Sequence, residues 1–319
     1  MGDSWPRVFA AKSLSDNVRR ASSSGGLYHE LASVVISRGG VVYACRSDEN
    51  LHVSHVRCVT MDECERCRGS KYVQSDMGSA IKELRSDLRS GRQVLFTGTP
   101  CQVDAVRKNC AAQGDLLTAD IICHGVPSPG VFSEWLHVAE GIRKKHVVRY
   151  EWRPKNRGWR HLERVVWDDG TSEQDTHISD AWRYLFYNNK MLRPSCYRCP
   201  YTSTVRSSDL TIADFWGIEN SSASGMNDEL GVSLVLASTE RGLRLFEEAS
   251  LERYEVTLAE ALPGNPMLVR PSTCEGERAD VWKELYQNGL EHMMKQERYL
   301  VSPVRHALGS VKRRLAGGA

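Results

Sequence analysis

The sequence predicts an α/β protein with a mixed, largely parallel sheet core and helices, followed by an antiparallel insertion and a helical C-terminal region. Through the first 130 or so residues, short buried apolar runs alternate with single amphipathic segments, which is typical of largely parallel sheets. From about residue 147, neighbouring runs alternate polar and apolar residues around a tight turn. The last sixty or so residues have mostly helical patterns.

The first part of the chain begins with a predicted strand at residues 8–11, and a helix follows Gly25 and Gly26. The helix is predicted because Leu27 and Leu31 share one face, and Gly39 marks its end. Thr60 opens a short helix, because Glu63 completes a capping-box pattern with it. Further strands are predicted at 41–45, 51–57, 93–97 and 116–122, and further helices near 81–88 and from residue 101.

The predicted secondary structure changes in the second part of the chain. Residues 147–152 and 162–167 are predicted antiparallel strands, the latter closing on the Asp169-Gly170 turn. A helix is predicted at 179–189 and strands at 209–213 and 232–237. We divide the chain into residues 1–240 and a mostly helical region, 241–319, whose basic end at 310–319 is expected to be solvated.

Composition excludes several classes of protein. The formal net charge of +2 over 319 residues is too balanced for a dedicated nucleic-acid binder. No uncharged apolar run approaches the roughly 18 residues of a membrane span. The N-terminus lacks the apolar core of a secretion signal. We therefore expect a cytoplasmic protein with no membrane span and no nucleic-acid partner.

Cysteine is unusually abundant for such a chain. Because cytosolic thiols stay reduced, its 10 cysteines predict metal binding, a cluster, a nucleophile or simple burial rather than a disulfide framework. Two pairs, Cys64/Cys67 and Cys196/Cys199, have CxxC spacing, which allows two sulfurs to hold one metal atom or cluster.

Cys101 and Cys123 each follow a predicted strand, at the edge where open α/β sheets bind ligands. With Cys196 and Cys199 they provide four thiolates, the number that holds a 4Fe–4S cluster. Structural zinc is the main competitor, because Cys64/Cys67 with Cys196/Cys199 would form two CxxC knuckles. Spacing alone leaves both alternatives open.

Two polar loops are candidate cofactor contacts. Residues 22–26 (SSSGG) place hydroxyls and glycines before a helix, as in an anion-binding loop, although an ordinary helix start has the same pattern. Residues 69–75 combine a glycine, a cation, an aromatic ring and polar side chains. This mixture suits a cofactor with phosphate and ring parts, and equally a capped turn.

Seven segments together resemble the coenzyme F420 hydrogenase/dehydrogenase beta-subunit family. In order they are SSSGG (22–26), RGSKYVQS (68–75), VLFTGTPCQV (94–103), DIICHGVPSP (120–129), WRPKNRGW (152–159), CYRCPY (196–201) and SDLTIADFWG (208–217). The resemblance runs from about residue 8 to residue 218 and weakens in the C-terminal helices. Each motif is weak alone, but all seven occur in register.

The resemblance implies a flavin, usually FAD, beside a 4Fe–4S cluster, and an oxidoreductase that exchanges electrons with deazaflavin or another acceptor. Residues 1–240 would then form the flavin and iron–sulfur domain, and the cluster is favoured over zinc. The implied cluster ligands are Cys101, Cys123, Cys196 and Cys199. The implied flavin contacts are Ser24, Gly25, Gly26, Ser70, Lys71, Tyr72, Gln74, Ser75, Thr97 and Thr99.

The chain also departs from the family pattern. Many relatives carry a ferredoxin-like segment before the first strand, and this sequence begins too late to include it. We therefore expect an external electron carrier, such as ferredoxin or a partner redox subunit, docking near residues 196–206 through Arg198 and Arg206. Alternatively, these arginines pair with local acids such as Asp209. A small-molecule substrate, with a link to polysaccharide biosynthesis, is a further expectation.

Three further possibilities concern single cysteines or pairs. Cys64 and Cys67 are expected to be packing residues on a helix, since the family pattern does not require cysteine there; the alternative is a second metal site. One rival function is a cysteine-nucleophile enzyme using Cys101, with His124 as base. The other is a zinc-bound module without catalytic activity.

Overall fold

The structure is a computed structural model that describes residues 5–110, 114–274, 276 and 278–315, with side chains described as far as residue 309. The strands are β1 Arg7–Ser13, β2 Val41–Ser47, β3 Val53–Cys58, β4 Val94–Gly98, β5 Leu116–Ile121, β6 Val147–Trp152, β7 Glu163–Trp167, β8 Ser172–Gln174, β9 Leu210–Asp214, β10 Ser233–Ala237 and β11 Leu251–Val256. The helices are α1 Asp16–Arg20, α2 Leu27–Ser37, α3 Met61–Glu65, α4 Ala80–Arg89, α5 Pro100–Cys110, α6 Pro129–Arg143, α7 Ala181–Tyr187, α8 Glu240–Glu248, α9 Leu258–Ala261, α10 Arg278–Asn288, α11 Leu290–Gln296 and α12 Pro303–Leu315.

Eight strands form one mixed sheet in the order β11-β1-β10-β9-β5-β4-β2-β3. The central strands β2, β4, β5 and β9 are parallel, whereas β3, β10, β1 and β11 join antiparallel at the flanks. The predicted mixed α/β class is confirmed. The proposed boundary at residue 240 falls between β10 and β11, two strands of this one sheet, and the division of the chain stays a prediction.

The antiparallel insertion predicted from residue 147 onwards is also confirmed. Strands β6, β7 and β8 form a separate three-stranded antiparallel sheet. Its apolar face packs with α6, α7, α10 and α11 around three fully buried tryptophans, Trp135, Trp167 and Trp182.

The chain after β11 is mostly helical, as predicted, and α12 reaches Leu315. Of the expected basic tail, residues 316–319 lie outside the described residues. Within the described ranges, no helix combines the length and the apolar character needed to cross a bilayer. The sequence did not predict α1, α6, β8 or β11.

Trp182 connects the core around the three-stranded sheet to the loop that precedes α4. Its indole Nε1 donates a hydrogen bond to the carbonyl of Tyr72 at 3.2 Å. We predict that Trp182→Phe lowers the free energy of unfolding by about 2 kcal/mol, because it removes buried volume and leaves a carbonyl unpaired. Urea denaturation measures the change. Trp5→Phe at an exposed site is the control, and an equally large loss there would contradict the assignment.

Candidate functional site

The carboxyl ends of β4 and β5 open into a cavity of about 890 Å³. This volume lies in the upper part of the ~300–1,000 Å³ range of ligand pockets. Its wall contains residues from six of the seven segments singled out in the sequence, the exception being residues 196–201. The topology therefore brings distant segments to one edge of the sheet, as expected for an open α/β fold.

Nine of the ten predicted flavin contacts line this cavity. They are Ser24, Gly26, Ser70, Lys71, Tyr72, Gln74, Ser75, Thr97 and Thr99. Gly25 does not line it. The structure thus gathers these residues around one volume, and their role as flavin contacts stays a prediction.

The packing and conformation of the backbone require glycine at positions 25 and 26. A Cβ at Gly25 would lie 2.5 Å from the carbonyl oxygen of Ala11 and 2.9 Å from the amide nitrogen of Ser233, so this loop can pack on β1 and β10 only with glycine. Gly26 has a φ of +93°, the left-handed region that favours glycine. A larger residue at either position would disturb the fold whether or not a phosphate binds there.

Two buried lysines hold the loops around the cavity. The Lys71 ammonium donates to the carbonyls of Cys45 at 2.8 Å and Cys67 at 2.6 Å, and to two further carbonyls of its own loop. Its three N–H donors are therefore already in use within the protein. Lys155 donates to the carbonyl of Ser24, and burial lowers the pKa of Lys155 to about 7.

A hydrogen-bonded network runs along the floor of the cavity, and sequence reasoning missed its central residue, His55. The Nε2 atom of His55 donates to the carbonyl of Thr97 at 3.0 Å, and its Nδ1 atom accepts from the Ser75 hydroxyl at 3.0 Å. Gln102 donates to Ser75 at 2.8 Å and accepts from the Thr99 amide at 3.0 Å. Burial lowers the pKa of His55 to about 4, so the ring is neutral at pH 7.

The four predicted cluster cysteines come from three elements. Cys101 lies exposed in the first turn of α5, with its Sγ 3.2 Å from the Thr99 hydroxyl. Cys123 follows β5, and burial raises its pKa to about 12. The thiols of Cys101, Cys196 and Cys199 raise that pKa as well.

Backbone contacts hold the segment that carries Cys196 against the end of β5. The amide of Arg193 donates to the carbonyl of Val126 at 3.0 Å. A Cβ added at Gly125 would lie 3.4 Å from the Cβ of Cys196. The left-handed φ of Gly125, +129°, thus allows this segment to approach closely.

Side chains fix the other end of the same loop. The Tyr201 hydroxyl donates to Asp104 on α5 at 2.7 Å. The Arg206 guanidinium forms an ion pair with Asp120 on β5 at 2.9 Å and also donates to the carbonyl of Ile121 at 3.0 Å. The loop between them is therefore attached to α5, which begins next to Cys101, and to the strand that precedes Cys123.

The prediction that Arg206 forms part of a basic docking surface is wrong. Its side chain is only 2% exposed, because its charge neutralises the buried Asp120. The alternative that it pairs with an acid of the chain itself holds, although the acid is Asp120 rather than Asp209, which pairs with Arg107. Arg198 is exposed, as expected.

The two CxxC pairs do not meet. Cys64 and Cys67 are buried in the core between α2 and the large sheet, as packing residues would be, although Cys67 lies just past the end of α3 and also lines the cavity. Two zinc-bound sulfurs, each ~2.3 Å from the metal, lie at most about 4.6 Å apart. Within the part of the chain that the structure describes, the one group of three ligating atoms within 4.8 Å of one another is Asp175, Asp180 and His306. The geometry therefore does not support the two-knuckle zinc site.

Cys101 and His124, the proposed nucleophile and base, contact different residues. Cys101 contacts Thr99, whereas the Nε2 atom of His124 lies 2.5 Å from the amide oxygen of Asn189. Burial lowers the pKa of His124. His124 lines the cavity and is positioned by Asn189, and among the described residues no hydrogen bond joins it to Cys101.

A buried ion pair and Trp216 form the far wall of the cavity, opposite the cysteines, with Trp159 stacked behind Trp216. Arg153 pairs with Asp214, and the Trp159 indole donates to the same carboxylate at 2.8 Å. Although burial opposes ionisation, the charge and hydrogen bonds of Arg153 hold the pKa of Asp214 below its usual value. Trp159 stacks on Trp216 with ring centroids 4.5 Å apart. Two of the seven segments, 152–159 and 208–217, meet through these contacts.

His161 and Tyr187 complete this wall, and sequence reasoning missed both. The Tyr187 hydroxyl lies 2.6 Å from the Nδ1 atom of His161. Burial, and then the charge of Arg153, lower the pKa of His161 to about 4. His161 also packs against Trp216, with ring centroids 4.8 Å apart. The wall therefore offers flat aromatic surface and one hydrogen-bonded polar pair to a ligand.

The Arg206–Asp120 pair should control the stability of this edge. We predict that Arg206→Ala lowers the free energy of unfolding by about 3–5 kcal/mol, because it leaves Asp120 buried without its counter-charge. Arg198→Ala, at an exposed site on the same loop, should change it by less than about 0.5 kcal/mol. Chemical denaturation of both variants tests this, and equal losses would contradict a special role for the buried pair.

Comparisons with known proteins show the family of this chain and its fold. Residues 91–261 match the family described as the C terminus of the coenzyme F420 hydrogenase/dehydrogenase beta subunit. The fold is similar to a chain of the F420-reducing nickel–iron hydrogenase complex from Methanosarcina barkeri, solved as a xenon derivative. The TM-score is 0.55 at 18% sequence identity, over 92% of this chain and 91% of that chain. No curated protein matches the sequence. Because the family match spans more than half of the sequence, this chain belongs to the coenzyme F420 hydrogenase/dehydrogenase beta-subunit family.

Proposed function

We propose that this chain is a cytoplasmic flavin- and iron–sulfur-dependent oxidoreductase that passes electrons between a 4Fe–4S cluster, FAD and a small-molecule substrate. Family membership supports an oxidoreductase-type role. The observation that carries the cofactor assignment is that the free thiols of Cys101 and Cys123 line a cavity of about 890 Å³, with Cys196 packed beside Gly125. All ten cysteines are free thiols, which fits a reducing compartment.

The donor set fits the cluster better than a single metal ion. Each thiolate of a 4Fe–4S cluster binds its own iron atom, so the four sulfurs need not meet the close spacing of a zinc site. In this proposal Cys101 and Cys123 bind from the sheet edge, and Cys196 and Cys199 bind from the loop held by Arg206. When bound, the cluster would supply one-electron transfer and the flavin two-electron hydride chemistry.

The cavity residues fit a dinucleotide with phosphate and ring parts. The N-terminus of α2 lacks a side-chain cap at Gly26, so its backbone N–H groups are available to an anion beside Ser24. Thr97, Thr99 and Ser75 lie on the opposite side, at the end of β4 and along the His55 network. These groups would bind and orient the flavin, while the cavity walls limit the access of water.

The far wall would hold the substrate. Trp216 and Tyr187 offer aromatic faces, and the buried Arg153–Asp214 pair fixes their surroundings. Such a surface fits a planar ring system, such as a deazaflavin, better than a flexible polar chain. The link to polysaccharide biosynthesis has only the sequence resemblance as its support.

An external electron carrier would approach the cysteine side of this edge. Cys101 is exposed there, and so are Arg193 and Arg198 on the neighbouring loop. Two exposed cations suit an acidic partner such as ferredoxin or a redox subunit, since complementary charges raise the encounter rate. Arg206 takes no part, because it is buried.

Cysteine replacement tests the cluster. We predict that a serine at position 101, 123, 196 or 199 loses iron or gives a labile cluster, because a hydroxyl is a poor replacement for a thiolate ligand. Cys110→Ser and Cys274→Ser are matched controls on the same fold. Iron and sulfide analysis of protein purified without air measures the effect. Full iron retention in Cys123→Ser would remove that residue from the set.

A cavity-filling variant tests the flavin. Gln74→Trp places a large side chain inside the cavity without altering a glycine that the backbone requires. We expect its flavin content to fall at least about tenfold, equivalent to ~1.4 kcal/mol of binding free energy. Gln287→Trp on the exposed face of α10 is the control. Absorbance of flavin released from purified protein measures both, and equal flavin content would contradict binding in this cavity.

A further inference from the structure

Three thiols outside the predicted cluster set lie together behind the wall of the cavity. Cys58, at the end of β3, has its Sγ 3.7 Å from the Sγ of Cys67, and Cys64 lies beside both. All three are free thiols. A disulfide has an S–S distance of ~2.05 Å, so the two sulfurs of Cys58 and Cys67 would have to approach by only about 1.6 Å.

The two contacting thiols differ in their access to the cavity. Cys67 lines it, together with Lys71 and Tyr28. Cys58 does not line it, and its side chain is 1% exposed. A small molecule in the cavity could therefore reach Cys67 directly, and Cys58 only through Cys67.

The pKa values of Cys67 and Cys58 also differ, because their electrostatic surroundings differ. The hydrogen bond from Cys58 lowers the pKa of Cys67 to about 7; burial opposes this, and the charge of Lys71 adds to it. The neighbouring thiols and burial raise the pKa of Cys58 well above its usual value. Cys67 is thus the thiol of this pair that ionises more readily, and the thiolate is the nucleophilic form.

We propose that Cys67 and Cys58 are a thiol–disulfide exchange site that acts on a low-molecular-weight disulfide entering the cavity. The Cys67 thiolate attacks one sulfur of the disulfide, forms a mixed disulfide and releases the other half as a thiolate, which takes up a proton. Cys58 gives up its proton and attacks the Cys67 sulfur, forming the Cys58–Cys67 disulfide and releasing the second thiol. Two protein thiols are oxidised, and one disulfide is reduced to two thiols.

This site uses none of the predicted cluster ligands. Its reactive sulfur faces the cavity that the proposed flavin would share, so the exchange requires the part of the cavity beside Cys67 to be open to the disulfide. Lys71 has a second role here, because the hydrogen bond from its ammonium to the Cys67 carbonyl keeps a positive charge beside the Cys67 thiolate.

Glutathione disulfide is the probe for the test. The full chain, purified without air, is incubated with it at pH 7, the remaining thiols are alkylated, and the peptides are mapped by mass spectrometry. We expect a Cys58–Cys67 disulfide in the unmodified sequence and in the control Cys110→Ser. Cys58→Ser should trap glutathione on Cys67, and Cys67→Ser should leave Cys58 unmodified.

A second measurement needs no variant. In the native protein, iodoacetamide should alkylate Cys67 at least about tenfold faster than Cys110, a buried thiol whose pKa is raised by burial. The proposal is overturned if Cys67 reacts no faster than Cys110, if glutathione disulfide leaves Cys67 unmodified, or if Cys67 is linked to Cys64 or Cys45 instead. Iron and flavin contents of the same samples report separately on the proposed function.

Discussion

The buried ion pair between Arg206 and Asp120 is the constraint on which the candidate site depends. Both side chains are at most 2% exposed, so neither charge can be left without the other. The pair joins β5, which leads into Cys123, to the loop that carries Cys196 and Cys199. Because two elements far apart in sequence are connected at this one charged contact, the loop that carries Cys196 and Cys199 is held beside the strand that leads into Cys123.

Much of the fold follows from local patterns. Helix α2 begins directly after Gly26 and strand β2 at Val41, as predicted, because periodicity and glycine punctuation agree there. Strand β11 was missed because it is an edge strand with only Leu251 and Val256 buried, so it shows no alternation. Helix α6 was missed because its start signals, the Ser128 cap and Pro129, also fit a turn.

The candidate cysteine ligands could be predicted from the sequence, but the contacts that hold the surrounding loops in place could not. The strand-end positions of Cys101 and Cys123 are visible in the sequence, because parallel strands end at one edge. The partners of Arg206, Lys71 and His55 are not visible, since each depends on long-range packing. A basic residue on a loop gives no sign of whether it faces a partner protein or a buried carboxylate, and Arg206 faces the latter.

The metal and flavin content of the unmodified chain, purified without air, tests the central claim most directly. We expect about four iron and four inorganic sulfide per chain. We also expect one released FAD per chain, with visible absorbance that bleaches on reduction with dithionite. Stoichiometric zinc with no iron, or a colourless protein without flavin, would contradict it.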